Sequence, residues 1–251
     1  RKTGIQIQII YKVLELAVVM SPNAWEECFL LHQRSYGETS IIAEVFTRNL
    51  GKMSIIARGA KKPKSKFFGY LVPFSRLKIT FSGRSELKTL TNIDRDLSLT
   101  NTYLSRKSYS LLYINELMIK LLPKDAEHKP LFDLYSKFIQ DSVNEEKMDY
   151  LLRNFELDLL EMLGYGINFH ADINNEEEIK LNKNYIFVAE SGFMASDNAK
   201  DFSGEDIIKI RERNFADIST KKLKQLTQAT IMFCLEGKDL NSRQIFRRLE
   251  K

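Results

Sequence analysis

The sequence predicts an α+β protein, a small five-stranded β-barrel followed by an α-helical domain. Three observations lead there. Gly37, Gly51, Gly59, Gly69 and Gly83 punctuate the first hundred residues at short intervals, as turns between short strands do. Between those glycines, apolar residues alternate with period two. Beyond about residue 100 the apolar spacing becomes i, i+3, i+4, i+7, the mark of amphipathic helices.

Strands are expected at 27–34, 40–47, 52–58, 74–82 and 88–92. In the third, Met53, Ile55 and Ala57 share one face, and Lys52, Ser54, Ile56 and Arg58 share the other. In the fourth, Leu77, Ile79 and Phe81 form the apolar side and Arg76, Lys78 and Thr80 the polar side, which is expected to stand beside Lys88 or Arg58 on neighbouring strands. Asn49-Leu50-Gly51 reads as the hairpin turn between the second and third strands. A two-sheet sandwich needs about seven strands, so five favour an OB-type barrel.

Helices are expected at 109–122, 131–139 and 148–163, the last stopped by Gly164 and Gly166. Strands at 185–188 and 193–195 flank Glu190-Ser191-Gly192 as a small hairpin insert. Ser203-Gly204-Glu205-Asp206 reads as a helix cap, Ser219 or Thr220 starts the next helix, and Ser242 starts the last. The domain division is 20–100 and 101–251. Residues 1–19 are basic, then apolar, but Lys12 and Glu15 interrupt the run and no small-residue cleavage site follows. They are read as an upstream extension before Met20-Ser21-Pro22. If native, the Ile5/Ile7/Ile9 alternation suggests an added edge strand.

Charge is concentrated. The 251 residues carry a net +5, yet 58–88 alone hold nine Lys/Arg against Glu86, a local +8. At its heart, RGAKKPKSKFFGY (58–70) packs five cations and three aromatics into thirteen residues. Cations without carboxylates repel one another until a polyanion arrives. Single strands are held by a cationic track along the phosphates and aromatic faces for the bases. Lys61, Lys62, Lys64 and Lys66 supply the first, with Arg58, Arg76, Lys78, Arg84 and Lys88 nearby. Phe67, Phe68 or Tyr70 supplies the second, although one of the two phenylalanines is expected to close the barrel bottom. No amphipathic basic helix accompanies the patch to suggest a membrane surface, and no run of 18 apolar residues suggests a span.

Catalytic chemistry finds little support. His32, His128 and His170 lack ligand spacing, and Cys28 and Cys234 lie 206 positions apart without a CxxC pair, as in a reducing cytoplasm. There is no Gly-rich loop ending in Lys-Ser/Thr. Glu176–Glu178 read as a solvated run. Asp94 and Asp96, a conceivable nuclease pair, read better as strand-ending turn residues. No metal, cofactor or catalytic residue is expected.

Taken in order, LHQRSYGETS (31–40), VFTRNLGKMSIIARGAKK (45–62), LVPFSRLKITFSGRSELKTL (71–90), YINEL (113–117), RNFELDLLEMLGYGINF (153–169) and FSGEDI (202–207) resemble the RecO family of bacterial recombination mediators, with LNSRQIFRRL near the end. The resemblance implies an OB fold binding single- and double-stranded DNA through Arg34, Arg58, Lys61, Lys62, Lys64, Lys66, Arg76, Lys78, Arg84 and Lys88, then a helical domain. It implies strand annealing, cooperation with RecR, and in some cases RecF, to load RecA, and a cytoplasmic, nucleoid-associated protein. It also implies binding of the acidic tail of single-stranded DNA-binding protein (SSB) by Leu152, Arg153, Phe155 and Leu159, near the start of the 148–163 helix. From the residues alone, Arg153 pairs with Asp149. Some members carry a four-cysteine zinc ribbon after GYG. Here 168–184 has no cysteine, so no zinc is expected and the 185–195 hairpin holds the loop. An OB-fold RNA-binding adaptor is the alternative, since a basic aromatic groove does not by itself distinguish RNA from DNA.

Overall fold

The computed structural model describes residues 24–96, 107–144 and 147–244; the extension and edge strand expected at 1–19 lie outside them. The chain divides into two compact units. One contains 24–96 and Ile114–Asp133; the other contains 107–113 and 134–244. The division expected at residue 100 therefore leaves out a segment that groups with the barrel.

The first unit is built on β1 (Glu26–Tyr36), β2 (Ser40–Thr47), β3 (Gly51–Ala57), β4 (Arg76–Ser82) and β5 (Leu87–Arg95). They close a barrel in the order β1-β2-β3-β5-β4, through a parallel β3–β5 pairing and an antiparallel β1–β4 pairing. Every second residue is apolar because it points inward. Leu30, Val45, Ile55, Leu77 and Ile79 fill the interior, together with Met53, Ala57 and Leu90. Cys28 is among them, and burial pushes its thiol pKa up, so it is an inert core residue. The β1–β2 register slips between Leu30 and His32. This extra residue reverses the parity of β1: Cys28 and Leu30 face the core, whereas Arg34, four positions on, is exposed opposite Ile42.

The expected β2–β3 turn is present and held from below. Glu26 is buried and accepts the backbone N–H of Asn49 (2.6 Å) and its side-chain amide (2.9 Å). Gly51 is left-handed (φ 74°), and a Cβ there would overlap the backbone carbonyl of Ala126, so only glycine fits.

Ile114–Asp133 takes in the end of α1 (Lys107–Leu121) and the start of α2 (Lys129–Asn144). It covers the outward side of β1–β3. Phe132 packs on Phe29 (5.3 Å between ring centroids) and Phe46 (5.7 Å), Asn115 donates to the Leu31 carbonyl (2.9 Å), and Lys52 Nζ donates to the Ile119 carbonyl.

In the second unit, α3 (Met148–Met162) packs with α5 (Thr220–Cys234). Beside them β6 (Asn184–Val188), β7 (Gly192–Ala195) and β8 (Phe202–Ser203) form a sheet ordered β7-β6-β8, so the expected hairpin is present with a third strand. Ser203 and Asp206 make the reciprocal cap of α4 (Gly204–Arg211). The closing helical residues begin at 241, one residue before the Ser242 expected. The loop after α3 is tied to the sheet by protein groups. The buried Asp172 carboxylate accepts N–H bonds from Asn174 (3.0 Å) and Ala195 (3.2 Å), and the Tyr185 hydroxyl accepts one from Lys180 (2.8 Å).

Candidate nucleic-acid interface

After β3 the chain runs through a series of tight turns. Lys62 N–H donates to Gly59 O (2.9 Å), Ser65 to Lys62 (2.9 Å) and Phe68 to Ser65 (3.1 Å). Ala60, Phe67 and Leu71 dip from this loop into the barrel core. Lys61 docks it against the β1–β2 turn, with N–H on Thr39 O (2.9 Å) and Nζ on Gly37 O (3.2 Å). Lys66 lies over the Phe67 ring (5.3 Å) and donates to Asn92 on β5 (3.2 Å), which in turn donates to Thr80 on β4 (2.9 Å).

The loop is thus fixed in backbone while its charges are not neutralised. Arg58, Lys62, Lys64 and Lys66 are exposed and Lys61 is half-buried, and none of the five has an ion pair among the described residues. The two phenylalanines divide as expected: Phe67 is 7% exposed, whereas Phe68 is 51% exposed, with Tyr70 and Tyr36 also open to solvent. Cations and flat faces are displayed together, the combination that single strands require.

The other expected DNA contacts do not all join them. Arg76 is bound to Glu27 at 2.7 Å, and Lys78 stands in register between Glu27 on β1 and Asp94 on β5. The expectation that they adjoin Lys88 or Arg58 is corrected. Lys88 is on the neighbouring β5, but the register sets Lys78 opposite Asp94 and Ser82 opposite Thr89, so Lys88 lies at the far end of β4, beside Ile55 on β3. The β3 strand, which leads into Arg58, does not pair with β4. The polar side of β4 is therefore nearly charge-balanced. Asp94 also accepts the Arg95 N–H (2.9 Å), a strand-ending role. Arg84 and Lys88 border a pocket of about 600 Å³ at the β2–β3 and β4–β5 turns.

The face of β2–β3, where OB barrels commonly take oligonucleotides, is partly covered by this chain. Phe46 meets Phe132, and Arg48 makes a two-bond pair with Asp133 (2.7 and 3.2 Å). Lys52, on the β3 side shared with Ser54, Ile56 and Arg58, is buried, and that burial lowers its pKa. Apolar residues on both sides of β2 and β3 were the available signal: Ile42 and Ile56 are buried outside the barrel interior.

In the helical unit, Arg153 is 6% exposed and does not pair with Asp149. Its guanidinium lies 2.9 Å from Glu156 and donates to Thr227 on α5 (3.0 Å). Glu156 is fully buried and accepts a bond from Tyr113, whose hydroxyl also receives Arg243 (3.2 Å). Burial, with Glu156 beside it, pushes the Tyr113 pKa up, so it stays a neutral donor. The edge of Arg153 reaches a pocket of about 270 Å³ with Asp149, Thr220, Lys221 and Lys224, three cations against one carboxylate.

Leu152, Phe155 and Leu159 do not line an open groove. They are core residues, Phe155 packing on Phe138 (4.8 Å) and Tyr135 (6.4 Å). The apolar stripe that marks α3 in the sequence is the stripe that the fold buries. Lys221 and Lys224 were missed by sequence reasoning, since only tertiary structure brings α5 to α3.

The family model for "Recombination protein O N terminal" matches residues 20–95, and that for "Recombination protein O C terminal" matches 105–244. The chain belongs to the RecO family. Relatives called "DNA repair protein RecO" align over most of its length. That of Hamiltonella defensa is 36% identical over 231 residues, covering 89% of this chain and 97% of the relative. That of Pectobacterium atrosepticum is 35% identical over 230 residues (90% and 93%), and that of Salmonella enteritidis 36% over 230 (90% and 94%). A RecO-family chain with an OB-like barrel and a helical second unit is a DNA-repair protein. Among the described residues no helix is long and apolar enough to cross a membrane.

Proposed function

We propose that this RecO-family protein is a non-enzymatic cytoplasmic mediator of recombinational repair. On this reading it binds single- and double-stranded DNA and anneals complementary strands. It engages the acidic tail of SSB, and with RecR, in some settings with RecF, it promotes RecA loading. The observation that carries the reading is the β3–β4 loop: five cations without an ion pair among the described residues, beside exposed Phe68 and Tyr70, anchored to a closed barrel. Phosphates supply the missing negative charge and bases cover the rings.

The Arg153 pocket suits an acidic tail ending in a free carboxylate, since Lys221 and Lys224 add cations to a guanidinium that is already held in place. Arg153→Ala should weaken binding of such a peptide by roughly 1.5–3 kcal/mol, as for a hydrogen bond to a charged group. Lys221→Ala/Lys224→Ala, which leaves the buried Arg153–Glu156 pair intact, should weaken it less. Both variants should bind bare single strands normally and anneal naked strands while failing on SSB-coated ones. Loss of both activities in a folded variant would contradict separate DNA and protein sites. Preference for matched RNA over DNA in competition would favour the RNA-adaptor reading.

A further inference from the structure

The 600 Å³ pocket is separate from the β3–β4 loop and has a composition of its own. Its size falls within the roughly 300–1,000 Å³ typical of small-molecule sites. Met53 and the partly buried Leu50 and Phe81 form its apolar lining, packed against the barrel core. Its rim has two characters. Arg84 and Lys88 stand on the β5 side without an ion pair among the described residues. Asp125 stands on the other side, likewise without one, in a left-handed conformation (φ 51°) fixed by its N–H bond to the Lys52 carbonyl (3.0 Å). Glu127 on the same rim is already bound to Lys129 (3.1 Å).

We infer that this pocket receives one nucleobase of a bound single strand, with the adjoining phosphate on Arg84 and Lys88. The inference rests on the strand-binding reading of the loop and adds a second point of contact at the β2–β3 and β4–β5 turns. A nucleotide has the polarity of the site: an anionic phosphate for the two cations, a flat apolar body for Phe81, Leu50 and Met53, and N–H donors on the base edge for Asp125. Every base carries at least one such donor, so the pocket tolerates sequence. An acidic peptide ending in an aromatic residue fits less well, because Asp125 and Glu127 repel its carboxylates.

The test compares an oligothymidylate with an abasic analogue of equal phosphate number. It uses the full chain carrying Phe68→Ala/Tyr70→Ala, so that stacking on the loop does not contribute. The abasic strand should bind roughly five- to a hundred-fold more weakly, the range for loss of one stacked base. Adding Ser82→Trp, which places an indole at the mouth of the pocket, should remove that difference. In the unmodified protein, the ε-methyl NMR signal of Met53 should move on adding the intact strand and stay in place with the abasic one. This readout decides the matter even if the tryptophan variant does not fold. Equal binding of intact and abasic strands, or a Met53 signal that the intact strand leaves unmoved, overturns the pocket and leaves the loop reading standing. Failure of the unmodified protein to bind either strand overturns both.

Discussion

In the β3–β4 loop, five cations stand in or near solvent with no carboxylate attached; in the helical unit, Arg153 is buried against a fully buried Glu156. The loop is held by apolar anchors (Ala60, Phe67, Leu71) and backbone hydrogen bonds; Lys61 and Lys66 add bonds to Gly37 and Asn92, but no carboxylate among the described residues takes part. Arg153 owes its position to its ion pair and to Thr227. The first arrangement leaves charge available to a diffuse polyanion and exposed to screening by salt. The second fixes one guanidinium and makes it a structural element as well as a candidate contact. Removing charge should therefore mean opposite things at the two places.

The largest contrast is in stability. Glu156→Ala leaves Arg153 buried without its counter-ion and should lower unfolding free energy in urea by about 3–5 kcal/mol. Lys62→Ala/Lys64→Ala should stay within about 0.5 kcal/mol of the parent. A Glu156 effect below about 1 kcal/mol would mean that solvent reaches the network.

Within the loop, anchor and display separate at adjacent residues. Phe67→Ala empties part of the barrel core and should cost about 3 kcal/mol or more in the same assay. Phe68→Ala should leave stability nearly unchanged and instead weaken single-strand binding by roughly 1–3 kcal/mol, if a base stacks there. Equal stability losses would erase the distinction.

The smallest effect sharpens the comparison with a charge that serves structure alone. Burial would raise the Asp206 pKa, but bonds from Lys222 (2.6 Å) and from Ser203 (3.0 Å) prevail and hold it below its ordinary value of 3.8. A lowered folded-state pKa contributes stability above the ordinary value, and that contribution is lost as pH falls through the lowered one. Asp206→Asn should cost about 1 kcal/mol at neutral pH, as loss of a helix cap does. Its stability curve should lack that acid step, and urea unfolding across pH checks both.

Much of the barrel is legible in the sequence, because a strand with one buried face must alternate. Met53/Ile55/Ala57 and Leu77/Ile79/Phe81 are found where their period puts them. What alternation does not carry is which strands become neighbours. Pairing β5 beside β3 and β4 beside β1 is a non-local choice, and it gave Arg76 a carboxylate partner where cations were expected. The slip after Leu30 is also silent, since Cys28–Leu31 are apolar without interruption and show no alternation for a slip to break. At the helical site, Arg153 was visible as a cation beside an apolar stripe. Its partner was misread because Asp149 and Glu156 both lie within helical reach, and burial, which decides between them, depends on α5.

The most direct test of the account is the salt dependence of single-strand binding in two charge-removal variants. Each phosphate contact contributes about −0.7 to the log–log slope for single strands. Lys61→Ala/Lys62→Ala/Lys64→Ala/Lys66→Ala should flatten the slope by roughly 2–3 and weaken all sequences alike. Arg76→Ala/Lys78→Ala, which removes cations already facing Glu27 and Asp94, should flatten it by less than about 0.7, one contact's worth. An unchanged slope in the folded loop variant, or an equal flattening in the strand variant, would contradict the claim that unpaired loop cations form the DNA surface.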